Sequence, residues 1–227
     1  MRIGFDVDGV LADFSKGYMA LIIKLSGRDL FAPGDWDNPP CWDWDKFRGY
    51  TAEERAMAWK HIVASATFWE ELTPLPGNYE TLRDVFYTLN GQHELYFITN
   101  RTGVMVKRQT ENWLRYYLNL IHVPTVLITG HGVKGLVAKA LNLDAYLDDN
   151  FDNCLHCLEQ APTTHTYLLD RSYNRVAAEL IMKKDAGWAG PPGAHIARVD
   201  EERLPTLSAF LHAEGLVSYT ESVANIP

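Results

Sequence analysis

The chain has 227 residues, 47% of them hydrophobic and 22% charged, a balance that excludes wholesale disorder. At about 150 residues per domain, that length suggests one domain carrying a sizeable insertion. Lys and Arg number 21 against 29 Asp and Glu, a net charge of −8 without a long basic run, which argues against grip on a nucleic-acid polymer.

Taken in chain order, Arg2–Val7 predicts a buried strand followed by a helix from about Val10 to Leu25. Pro33, Gly34, Pro39 and Pro40 break any period between Gly27 and Tyr50. Thr51-Ala-Glu-Glu54 is a capping box that opens a helix running to about Ala64. Pro74-Leu-Pro-Gly77 marks a turn, then a helix to Leu89. From there the alternation is regular. Strands are expected at Glu94–Thr99, Thr125–Thr129, Ala145–Asp148 and Thr166–Leu169, with helices near Val106–Leu118, Lys134–Leu141 and Asn153–Gln160 between them. Asp170–Ala194 reads as a long loop containing Pro191-Pro192-Gly193, His195–Val199 as a late strand and Leu204–Ala213 as a closing helix. The fold class is α/β: a Rossmann-like parallel sheet with helices on both faces. Residues 15–73 interrupt the alternation and are expected to form a small helical cap, leaving 1–14 and 74–227 as the core domain.

Cys41, Cys154 and Cys157 are too few for a disulfide framework and suit a reducing compartment. Asp6 and Asp8 fall where a signal peptide needs an apolar run, and the uncharged stretch Tyr117–Val133 contains Asn119, Pro124 and Gly130, a poor membrane span. A cytoplasmic protein without membrane contact is expected, with the oligomeric state, a homodimer included, left open.

In open parallel sheets the ligand site lies beyond the carboxyl ends of the strands. The first strand leads into Asp6-Val-Asp8-Gly9, the second ends in Thr99-Asn100-Arg101, the third leads to Gly130-His-Gly-Val-Lys134, and the fourth ends in Asp148-Asp149-Asn150. One sheet mouth would therefore collect carboxylates, a hydroxyl, an Arg and a Lys. Any single Asp there is explained as a turn former or helix cap. Lys134 alone would be a solvated lysine at the unfavourable end of a helix dipole. Their joint placement at successive strand ends asks for a cation to relieve the carboxylates, and hard oxygen donors suit Mg²⁺ with a phosphate-bearing substrate.

Asp6-Val-Asp8-Gly9-Val10, Thr99 closing an apolar strand, Lys134 at a helix start and the Asp148-Asp149 pair together resemble the haloacid dehalogenase superfamily of phosphohydrolases. The resemblance implies phosphoryl transfer through an aspartyl phosphate. Asp6 would be the nucleophile and Asp8 the general acid and base. Thr99 and Lys134 would hold the phosphoryl oxygens. Mg²⁺ would be held by the Asp6 carboxylate, the Asp8 backbone carbonyl and one or both of Asp148 and Asp149. Lys139, on the same helix, is the alternative to Lys134.

The insertion should set the substrate. It holds Trp36, Trp42, Trp44, Trp59 and Trp69, five of the seven tryptophans, with Phe31, Phe47, Tyr50 and Phe68. Each is explained singly as core, while one or two stacking surfaces for a flat ring are equally in keeping with that density. The strings DVDGVLADF (Asp6 to Phe14) and FWEELTPLPG (Phe68 to Gly77) resemble the 5′(3′)-deoxyribonucleotidase branch, whose members dephosphorylate nucleoside monophosphates. That resemblance puts Phe14 against a nucleobase; Phe68 and Trp69 are assigned to the same pocket from the aromatic pattern, with Asn100 and Arg101 beside the substrate. Arg101 could instead pair with an acidic neighbour. Thr99-Asn100-Arg101 and the long segment between Lys134 and Asp148 depart from the animal enzymes, so base and sugar preference stay open.

Three further patterns are weaker. Gly130-His-Gly132-Val-Lys-Gly135 spells GxGxxG but falls on the third strand–helix turn, where a dinucleotide-binding fingerprint does not belong. Cys154-Leu-His-Cys157 lacks a second pair for zinc. His131, Arg171 and Arg175 read as loop residues that could face the mouth. The expected activity is an Mg²⁺-dependent phosphatase for (deoxy)nucleoside 5′-monophosphates, the alternatives being another small phosphomonoester such as a sugar phosphate, or a non-catalytic binding protein on the same fold.

Overall fold

The computed structural model describes residues 1–169, 171–174, the backbone of 196–199, and 207–216. Short apolar runs become the strands of one parallel sheet: β1 (Arg2–Phe5), β2 (Glu94–Thr99), β3 (Thr125–Ile128), β4 (Ala145–Asp148), β5 (His165–Leu169) and β6 (Ile196–Val199), in the order β3-β2-β1-β4-β5-β6. The register sets Phe5 level with Phe97 on one side and Leu147 on the other, so the residues after β1 emerge at the centre of the carboxyl edge. The chain switches from one side of β1 to the other between β3 and β4, the place where such sheets bind ligands.

Both faces are covered, as a parallel sheet requires. Ile3, Phe5, Phe97 and Leu147 enter a core shared with Phe86 of α4 (Asn78–Gln92), Trp113 of α5 (Val106–Tyr117) and Phe210 of the C-terminal helix Leu207–Ala213. Ile98 and Tyr146, the chain neighbours of Phe97 and Leu147 and therefore on the opposite face, pack with Ala138 of α6 (Lys134–Leu141) and Cys157 of α7 (Phe151–Gln160). Gly135 lets α6 and α7 touch, for a Cβ there would stand 2.2 Å from His156 O.

The first helix, α1 (Phe14–Ser26), starts later than the sequence predicts. Leu11 N and Ala12 N both donate to Val7 O in a turn, and the Asp13 side chain caps the helix by accepting from Lys16 N. The Pro-rich stretch that follows holds a 3₁₀ turn (Pro33–Trp36) and a single helical turn, α2 (Trp44–Phe47), and is tied by Arg48 to Asp35 at 2.6 Å. The Thr51 capping box opens α3 (Ala52–Ala64) as expected. Asp13 N donates to Thr73 O, Leu75 N to Leu11 O, and Ala12 bridges to Pro74, so the chain leaves and re-enters the sheet region side by side. Gln92, not Leu89, ends α4; of the expected closing helix Leu204–Ala213, residues Leu207–Ala213 are described and are helical. Most of the loop expected over Asp170–Ala194, with Arg175 and Pro191-Pro192-Gly193, lies outside the described residues.

Gly135→Ala is expected to lower stability by about 1–3 kcal/mol by forcing α6 from α7, read as a reduced urea midpoint at unchanged slope.

Candidate active site

Asp6, Asp148 and Asp149 are buried, with carboxylate oxygens that lie within 4.8 Å of one another. Asp6 follows the central strand, its N donating to Leu147 O at 2.9 Å, and Asp148 closes the adjacent strand β4. Gly9 gives Asp149 its room: the glycine has φ 78°, and a Cβ there would lie 1.9 Å from Asp149 Oδ2. Only glycine fits both the backbone angle and the gap.

Lys134, the first residue of α6, brings its ammonium to 2.7 Å from Asp6 Oδ1 and 2.8 Å from Asp148 Oδ2. Lys139 is exposed, so of the two lysines Lys134 reaches the carboxylates. Asp148 is saturated: Asn150 N and Asn153 Nδ2 donate to Oδ1, while Lys134, Tyr146 and Asn153 donate to Oδ2. Asp149 Oδ2 accepts from the Tyr173 hydroxyl. Asp6 Oδ1 differs. Beyond the ion pair with Lys134, this buried oxygen has no partner.

These charges are not at ease without a cation. Burial raises the Asp6 carboxyl well above the usual carboxylate range; Lys134 opposes the rise, and Asp148, Asp149 and Asp8 add to it. Burial and the nearby Asp148 push Asp149 up to about 7. Burial alone would lower Lys134, but Asp148 and Asp6 outweigh it and hold the ammonium above its ordinary range. Three hard oxygen donors, one lacking a hydrogen-bond partner, fit a divalent cation.

One cavity of about 550 Å³ takes in Asp6, Asp8, Thr99, Lys134 and Asp149 together with aromatic side chains. Asn100 lines it too, with its Nδ2 2.8 Å from His131 Nδ1. Phe14 and Trp69 line it as a stacked pair, ring centroids 5.7 Å apart, and Phe14 lies 5.8 Å from Trp59. Phe68 is placed otherwise than the sequence reading has it. It is buried edge-on behind Phe14 and Trp69 and does not line the cavity.

Arg101 also departs from its expected place beside substrate. Its side chain is 0% exposed and pairs with Asp8, Nε at 2.9 Å from Oδ2 and Nη2 at 2.8 Å from Oδ1, while Nη1 donates to Thr110. Thr99, fully buried at the end of β2, donates its hydroxyl to Asp8 Oδ2 at 3.2 Å. Arg171 is described, but among the cavity-lining residues the loop after β5 contributes Tyr173.

The cavity has members that the sequence names only among the aromatics of the insertion, or not at all. Trp42 and Trp59, each more than two-fifths exposed, offer the freest aromatic faces in the cavity. Ala52, Arg55, Ala56 and Trp59 all line it, and their i, i+3, i+4, i+7 spacing on α3 was a readable signal. Asn153, three residues after the helix cap Asn150, had none.

The sheet and the helices on its faces form the fold seen in haloacid dehalogenase-like hydrolases. The fold resembles that of a HAD family hydrolase from Deinococcus radiodurans R1, solved with bound phosphate and sodium, at 14% identity over 96% of this chain and 97% of that one, TM-score 0.54. A putative haloacid dehalogenase-like hydrolase from Burkholderia xenovorans LB400 is similar at 12% identity over 96% and 98%, TM-score 0.50. Among curated proteins none matches the sequence. Residues 1–190 match the family described as 5′ nucleotidase, deoxy (Pyrimidine), cytosolic type C, and the chain belongs to that family. It is accordingly a phosphatase, a phosphoric monoester hydrolase of the 5′-nucleotidase kind. Among the described residues no helix is long and apolar enough to cross a membrane.

With Asp149 raised to about 7, the folded chain retains a proton that the unfolded chain has already lost above the ordinary carboxyl range. Stability of EDTA-treated protein should therefore fall from about pH 4 to about pH 7, and a divalent cation, which favours the ionised carboxylates, should remove most of the fall. Urea midpoints across that range check it, and Asp149→Asn should make the metal-free profile shallower, the raised Asp6 carboxyl carrying the rest.

Proposed function

We propose that the protein hydrolyses (deoxy)nucleoside 5′-monophosphates in the cytoplasm, with Mg²⁺ and through an acyl phosphate formed on the Asp6 carboxylate. The observation that carries this reading is the sharing of one cavity by the Asp6–Lys134–Asp149 group and a wall of aromatic side chains. The family's description, a deoxynucleotidase of cytosolic type, supports the same substrate class. Residues 15–73 are proposed to be the cap that closes over the phosphate site and selects the ester; the paired backbone at Ala12 and Pro74 supports that division.

Asp6 and Asp149, with the Asp8 backbone carbonyl, would hold Mg²⁺, while Asp148, its oxygens saturated, would fix Lys134. When bound, the ion would neutralise charge on the carboxylates and the phosphoryl group. An Asp6 oxygen attacks phosphorus, and the P–O bond to the sugar breaks. The electron pair goes to the sugar oxygen, which takes a proton from Asp8 and leaves as the nucleoside. Water then attacks the aspartyl phosphate, giving its proton back to Asp8 as the bond to Asp6 breaks and the carboxylate is restored. Lys134 and Thr99 hold phosphoryl oxygens throughout, with the Thr99 hydroxyl turning from Asp8 to do so. Phe14, Trp59 and Trp69 provide apolar faces for the base.

The test is phosphate release from ribo- and deoxyribonucleoside monophosphates and sugar phosphates, with Mg²⁺ and with EDTA. Metal-dependent turnover favouring nucleotides is expected. Turnover of sugar phosphates alone would discard the nucleobase pocket, and Asp6→Asn with full activity would sink the mechanism. Trp59→Ala, at an exposed position, should raise KM for nucleoside monophosphates roughly 5–100-fold, the loss of one stacked base, and barely move KM for p-nitrophenyl phosphate.

A further inference from the structure

Asp8 stands past the end of β1, beside the left-handed Gly9, and its side chain is 23% exposed at the cavity. A carboxylate in that position turns freely unless something holds it. Thr99 supplies one hydrogen bond, and Arg101 supplies a two-pronged grip on both oxygens.

Arg101 is itself immobilised on every side. Nη1 donates to Thr110 Oγ1 at 3.0 Å, and that hydroxyl is fixed by donating to Val106 O within α5. The guanidinium carbon lies 5.0 Å from the centre of the Trp69 ring, whose Nε1 donates to Thr102 O next to Arg101 in the chain. The guanidinium thus has its donors on Asp8 and Thr110 and a face on Trp69, a ring that lines the cavity and stacks on Phe14. It is fully buried, does not line the cavity and touches no place where substrate could sit.

We propose that Arg101 is a positioning residue: it fixes the direction of the Asp8 carboxylate toward the ester oxygen, and through Trp69 it ties that direction to the aromatic wall. The inference rests on Asp8 being the proton donor of the phosphatase reaction. A side chain that acts through Asp8 matters for a leaving oxygen that needs a proton, as a nucleoside does. It matters little for p-nitrophenolate, which departs with its electron pair as a stable anion. The hydrolysis step, in which water loses its proton to Asp8, depends on it for both esters.

The experiment is pre-steady-state and steady-state kinetics, with substrate in excess, of Arg101→Met, Arg101→Lys and Thr110→Val, with a nucleoside monophosphate and with p-nitrophenyl phosphate, in Mg²⁺. For Arg101→Met, formation of the phospho-enzyme from the nucleotide should slow by roughly 100-fold or more, the scale of a misplaced general acid. The same variant should release p-nitrophenolate in a burst of about one per enzyme at near wild-type rate, then turn over slowly as phospho-enzyme accumulates. Arg101→Lys, which keeps the charge without the planar grip, should recover part of the loss. Thr110→Val should give the same pattern more weakly and carries the test if Arg101→Met does not fold. Equal slowing of both first turnovers, or a raised KM for the nucleotide at unchanged kcat, would overturn the proposal. Wild-type protein inactive on both esters would instead overturn the phosphatase reading beneath it.

Discussion

A buried ammonium between two buried carboxylates is the constraint on which the site depends. Lys134 is in place because α6 begins at it and because Gly135 lets that helix sit against α7. Its partners Asp6 and Asp148 close adjacent parallel strands, so the sheet register sets their spacing before any side chain is chosen. Breaking such a group by removing one member leaves an uncompensated buried charge, which is costly. The arrangement also carries more negative than positive charge, and burial, with the neighbouring carboxylates adding to it, raises the Asp6 and Asp149 carboxyls. A divalent cation would discharge it, so folding stability and phosphate chemistry draw on the same imbalance.

The aromatic residues serve two ends at once. Phe31, Trp44, Tyr50, Phe68 and Trp69 join the core cluster that continues into the sheet through Phe5 and Leu147. Trp69 also faces the cavity and covers Arg101, which holds Asp8. Packing between the segment after β1 and the loop after β2 is therefore continuous with the geometry of the proposed proton donor. Gln109 reinforces the join by accepting from Trp69 N and donating to Ser65 O and Val104 O.

Much of this was legible in the sequence because parallel α/β architecture writes itself as alternation. Strands β2 and β4 fell where the apolar runs put them, and the Asp, Thr and Lys residues at their ends came together as the topology requires. The start of α1 was misread because Val10, Leu11 and Ala12 continue an apolar pattern while their backbone turns on Val7 O. Nothing in the residue types distinguishes those two uses. Phe68 and Trp69 are neighbours of like chemistry, and only packing decides that one lines the cavity and the other backs it. Arg101 was ambiguous for a similar reason: a guanidinium suits phosphate and carboxylate equally, and which one it meets depends on a strand 93 residues away.

The backbone pairing of Ala12 with Pro74 has a consequence for how this fold can vary. To the sheet, everything between those two residues is a loop whose ends are already fastened together. The entropy of closing such a loop grows only with the logarithm of its length, about 0.6 kcal/mol for each doubling. Changes of loop length between the two fastened points therefore cost the sheet little chain entropy, while the stretches that pack on Phe5 and Leu147 stay bound by the core they share. Loop length in that segment and the strand register that spaces Asp6 and Asp148 can therefore diverge at different rates.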